Sequence, residues 1–163
     1  MRMPGWLEKS IAAFFFSTIC IPNANTQGPA FNYKKCSNSM AVTAEYEGEK
    51  ILAIKDWPAA LLMSFKTFGV CDDGAIAEGY SDTIVQSLAK RWDRFPELAG
   101  LMEKNSDFHS FVLSHIDATT NSDDLYALVS NAEKKCPKQF QKTCQAVIAG
   151  ANVALKKIQE ILK

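Results

Sequence analysis

Asp72, Asp73, Glu78 and Asp82 all fall within the stretch CDDGAIAEGYSD, residues 71–82. Clustered carboxylates can hold a cation, divide acid and base roles in a hydrolysis, or meet a basic patch on a partner protein. Glu78 and Asp82 are four residues apart, so on a helix they share one side. Their positions also fit a plainer role. Asp72 or Asp73 can cap a helix, early acids complement its dipole, and Asp82 lies opposite an apolar stripe. The spacing of an EF-hand loop is absent. The acids are therefore read first as helix-start residues and second as a partner-binding surface, ahead of catalysis or metal binding. Gly79 sits among them inside the same helix, where glycine costs about 1 kcal/mol relative to alanine. That cost calls for a close approach, expected from a neighbouring helix or hairpin, with a partner chain as the alternative. Gly150 raises the same expectation.

The other chemically able residues converge poorly. His109 and His115 are six apart and fall on different helical faces, so they do not form an i, i+4 metal pair. His115 shares an aromatic stripe and reads as a core histidine with one hydrogen-bond partner, while His109 reads as exposed. Neither histidine has zinc-ligand spacing to a cysteine, and no C-x2-C pair occurs. No nucleophile elbow, P-loop, dinucleotide fingerprint or H-E-x-x-H motif is present. No cofactor and no metal are expected.

The elements that would carry these residues follow from periodicity. Ile76, Tyr80, Ile84, Leu88 and Trp92 recur every fourth residue and put one apolar stripe on the helix that begins at Asp72 or Asp73. Asp56 and Pro58 open a helix before it, and Pro96 opens a short one after it. Ser106 and the run NSDD at 121–124 start two more, and Pro137 opens a long final helix striped from Phe140 to Leu162. Residues 41–55, AVTAEYEGEKILAIK, alternate with period two around Glu47-Gly48 and suggest a short N-terminal β-hairpin lying against the helices. The fold class is mainly α: one compact bundle of five or six helices, residues 25–163, without repeat or linker.

Composition narrows the function. Eighteen basic and eighteen acidic side chains leave no net charge, which argues against a nucleic-acid partner. Arg2 and Lys9 precede an apolar run from Ile11 to Ile21, too short to span a bilayer and of the length of a signal core. Residues 1–24 are read as a signal peptide with cleavage between 24 and 30, giving a mature chain in the periplasm or outside the cell, with no membrane insertion after its removal. Cys20 leaves with the signal, and Cys36, Cys71, Cys136 and Cys144 remain as an even set suited to two structural disulfides. Four cysteines allow three connectivities. The shorter loops favour Cys36–Cys71 with Cys136–Cys144.

With RWDRFPELAGL and FVLSHID following it, the stretch from Cys71 to Asp82 resembles uncharacterised exported proteins of proteobacteria. More loosely, it is similar to the small helical periplasmic immunity proteins that act against type VI secreted peptidoglycan amidases. Those proteins carry Gly-Tyr followed shortly by Asp on a helix, matched here by Gly79, Tyr80 and Asp82, and a helix-joining disulfide to which Cys136-Pro137 corresponds. The resemblance implies an inhibitor that occludes a toxin's cleft by protein contact, with no chemistry of its own. The protein partner expected is thus a secreted toxin, and Asp72, Asp73, Glu78 and Asp82 are the expected contact surface. Two alternatives stand beside it: a small cell-wall hydrolase using Glu78 and Asp82, with or without His109, and a structural or chaperone protein of the envelope.

Overall fold

A computed structural model describes residues 35–163; the expected signal peptide and its cleavage region lie outside the described residues. Seven α-helices occur among the described residues. They are α1 (Asn38–Ile51), α2 (Trp57–Phe68), α3 (Gly74–Lys90), α4 (Phe95–Lys104), α5 (Ser106–Ser114), α6 (Ser122–Lys134) and α7 (Gln141–Ile161). Short 3-10 turns at Gly69–Cys71, Trp92–Arg94 and Lys138–Phe140 join some of them. The mainly α, disulfide-stapled bundle expected from periodicity is what is found, with one helix more than the five or six expected.

The extra helix replaces the hairpin. Residues 41–51 are the body of α1, and no strand forms among the described residues. The period-two alternation of Val42, Ala44 and Tyr46 does not mark a half-buried strand. Ala44 is buried, whereas Val42 and Tyr46 are 68% and 60% exposed. Ala44 and Ile51 are seven apart and fall on one helical face, and both turn into the protein. Ser37 supplies the start signal, its hydroxyl accepting from the Met40 N–H at 3.3 Å. Gly48 stays within the helix instead of making a turn.

The later helices start and face as their sequences dictate. Asp73 caps α3, its carboxylate accepting from the Gly74 N–H at 2.8 Å, and Gly74 takes a positive φ of 53° that glycine adopts without strain. Asn121 caps α6, with Asp123 and Asp124 in the first turn and Lys134 in the last. At α5 the cap is Asn105, one residue before the expected Ser106. Asp56 stands at the N-cap of α2 as expected, but its side chain makes no capping hydrogen bond; its carboxylate instead accepts from Arg94 at 3.2 Å. The α3 stripe is buried from Tyr80 through Trp92, and Phe108, Phe111, Val112, His115 and Ile116 all point inward. In α7 the stripe is buried through Leu155, but Leu162 is 80% exposed because the helix runs past its neighbours.

The packing places α3 between α1 and α6, with α7 against α6; α2 joins α1 to α4, and α5 reaches α4 and α7. One core runs through all of this, from Trp57 and Leu61 through Ile84, Phe95 and Phe108 to Val147. Two disulfides staple it: Cys36–Cys71 ties the entry to α1 to the turn before α3, and Cys136–Cys144 ties the exit of α6 to the first turn of α7. These are the short-loop pairs. Among the described residues no helix is long and apolar enough to cross a membrane.

Candidate functional site

The four acids of the 71–82 stretch have different surroundings. Asp72 turns inward, where its carboxylate lies 2.9 Å from His115 Nε2. Asp73 is the α3 cap. Glu78 is exposed and makes no hydrogen bond or ion pair among the described residues. Asp82 is exposed and accepts from the Gln86 amide at 2.6 Å. Two of the four are therefore structural, and two remain on the surface.

Asp82 belongs to a different constellation, a cleft of about 260 Å³ between α1 and α3. Ala44, Gly48, Ala75 and Gly79 keep its walls low, and Leu52, Ile76 and Tyr80 give it an apolar floor. Glu45, Glu49 and Asp82 supply three carboxylates, and among the described residues neither lysine, arginine nor histidine lines it. Thr83 also lines the cleft; it is 4% exposed, and its hydroxyl makes no hydrogen bond among the described residues. Among the described residues, nothing makes the close approach expected at Gly79, and a methyl group added at Gly79 or at Gly48 meets none of them within 4 Å. At Gly150 the expectation holds, because the Ile116 side chain comes within 3.5 Å of where a Cβ would stand.

The cleft is held open from both ends of α1. At the entry, the Cys36–Cys71 disulfide fastens the chain beside the start of α3. At the exit, the Arg91 guanidinium donates to the carbonyls of Leu52, Ile54 and Lys55 at 2.8, 2.7 and 2.9 Å, satisfying backbone groups of the segment that follows α1. Between these clamps only Ala44 and Ile51 of α1 are fully buried. Two helices pinned at their ends, with glycine and alanine facing each other in the middle, leave a gap that no side chain fills.

A polar seam on the other side of α3 fixes that helix in place. His115 is buried; Nε2 faces the Asp72 carboxylate, and Nδ1 lies 2.8 Å from the Phe111 carbonyl. Both ring nitrogens thus have an oxygen partner, and the Ser114 hydroxyl stands 3.3 Å from Nδ1 as well. The Tyr80 hydroxyl pairs with Ser64 at 2.8 Å. Burial raises the Tyr80 pKa above its ordinary value; the Ser64 hydrogen bond partly opposes this and the Asp72 charge adds to it. Ser81 donates to Asp117 at 2.9 Å, and Thr119 donates to the same carboxylate through its hydroxyl and its backbone N–H. Burial works against the Asp117 charge, but these hydrogen bonds, with His115 nearby, hold its carboxyl below the usual carboxylate value.

The hydrolase alternative needs Glu78, Asp82 and a histidine in one concavity. The cleft contains Asp82 but neither Glu78 nor a histidine, and His109 lies on α5. Among the described residues no three carboxylate, imidazole or thiol groups come together as ligands for one metal ion. Glu45 and Glu49 were hidden from a sequence reading by the hairpin assignment. Read as a helix, EYEGEKIL puts Glu45, Gly48, Glu49 and Leu52 on one side at i, i+3, i+4 and i+7, which is the signal that marks the cleft wall. The class of protein defined here is a small, doubly disulfide-bonded α-helical bundle with an acid-lined interhelical cleft. No protein-family model matches the chain, and no curated protein or solved structure matches it significantly.

Proposed function

We propose that the protein is an exported helical binding protein that acts by protein–protein contact, as an inhibitor or immunity factor against a secreted toxin. The observation that carries this reading is the α1/α3 cleft. Gly48 and Gly79 are retained inside helices, at a cost of about 1 kcal/mol each, without any internal contact that uses their lack of a side chain. An open, partly apolar surface of this kind suits a partner's protruding segment. Two disulfides fit an oxidising compartment, and the amino-terminal apolar run supports export to it. Acids at the rim set association rate and specificity more than raw affinity.

The test begins with the mature protein isolated from the envelope fraction and used as bait against extracts of that fraction. A single partner in one-to-one ratio is expected, whose hydrolytic activity falls in proportion to the amount of this protein added. Failure to suppress any activity of a stoichiometric partner, or release of peptidoglycan fragments by this protein alone, sinks the reading. The second result would restore the hydrolase alternative.

A further inference from the structure

We infer that the α1/α3 cleft receives an arginine side chain projected from a loop of the partner protein. The inference rests on the binding-protein reading and gives its site a ligand chemistry. At about 260 Å³ the cleft falls just below the range of about 300–1,000 Å³ that houses whole small-molecule ligands, and suits one long side chain entering from outside. Its polar groups are acceptors. Glu45, Glu49 and Asp82 are carboxylates, and Thr83, a residue only 4% exposed, offers a hydroxyl that makes no hydrogen bond among the described residues. A donor-only head group complements such a lining, and the guanidinium carries five N–H donors on a planar fork.

The low walls decide between a guanidinium and a smaller cation. The carboxylates do not gather around one point as metal ligands would. Glu45 and Glu49 stand on α1, Asp82 and Thr83 on α3, so donors must reach both walls at once. A forked, flat group does this, whereas an ammonium reaches as a single point. The arginine stem lies along Leu52 and Ile76, and the open positions at Gly48 and Gly79 let the partner's backbone come near.

The test is a titration of the intact disulfide-bonded protein, followed by amide NMR, with four capped tripeptides of the form Gly-X-Gly. X is arginine, lysine, leucine or citrulline, the last being the uncharged counterpart of arginine with nearly the same shape. Arginine should give saturable shifts centred on Gly48, Gly79 and Thr83, at least about tenfold tighter than lysine, and none with leucine or citrulline. Glu45→Gln with Glu49→Gln should weaken arginine binding about tenfold. Gly79→Leu fills the cleft without a clash at Cβ, so it should abolish binding while leaving the melting temperature equal or higher. Absence of saturable shifts at these amides, equal binding of lysine or citrulline, or full binding by Gly79→Leu each overturns the inference. The titration needs no partner protein, so its failure leaves the inhibition assay standing, and failure of that assay leaves the arginine site standing.

Discussion

Removing the Cys36–Cys71 bridge should release α1 and leave the rest of the bundle folded. The bridge closes a separation of 35 residues. Restricting an unfolded loop of that length is worth about 4 kcal/mol by chain entropy, against about 2.5 kcal/mol for the eight-residue loop between Cys136 and Cys144. The first figure is an upper bound for α1 alone, because α2 stays docked when α1 opens. Of α1 only Ala44 and Ile51 are fully buried, so apolar burial anchors it less than the other long helices, and the bridge and the Arg91 clamp matter correspondingly more.

Hydrogen exchange at pH 7 reads this directly. In Cys36→Ser with Cys71→Ser, amides of α1 should exchange up to about a thousandfold faster, the equivalent of 4 kcal/mol. Amides of α6 and α7 should change far less. The variant with both Cys136→Ser and Cys144→Ser should show the reverse, a smaller loss spread over α6 and α7, since those helices already pack on each other. If α1 keeps its protection within tenfold, or if every helix loses protection equally, the idea of α1 as a separately clamped lid of the cleft is wrong.

Three further changes follow from single contacts. Ser87 is fully buried and its hydroxyl has no partner among the described residues, so Ser87→Ala should stabilise the fold by about 1 kcal/mol, read as a rise in melting temperature. Gly150→Ala should be tolerated, because Ile116 stands at ordinary contact distance, whereas Gly150→Leu should cost about 1–3 kcal/mol by overpacking, measured by denaturant unfolding. Asp117 has a folded-state pKa below its unfolded value, so its contribution is present above the ordinary carboxylate range and is lost as pH falls through the folded value. Asp117→Asn should therefore be less stable than the parent at pH 7, with the gap closing as the pH drops below about 3.8; a gap that persists unchanged in acid would point to a steric cause.

The residues that were legible and those that were not differ in how much each helix buries. In α3 and α5 the apolar positions recur at helical spacing and nearly all of them are buried, so sequence and structure agree residue by residue. The disulfide pairs were favoured by loop length and are the pairs formed. Long-range polar pairing was another matter: nothing in the spacing of Asp72 and His115, 43 residues apart, announces their contact. Nor does Arg91 announce that it will hold three carbonyls of the segment after α1.

The failure at α1 has a physical cause that bears on the cleft itself. A helix that buries only Ala44 and Ile51 leaves little apolar periodicity in its sequence, and the exposed Val42 and Tyr46 then mimic a strand. The same sparse burial leaves the gap against α3 unfilled. A leucine at Gly48 or Gly79 would have strengthened both the helical signal and the packing, and would have closed the cleft. The most misleading part of the sequence is thus the part whose packing against the rest of the bundle is incomplete.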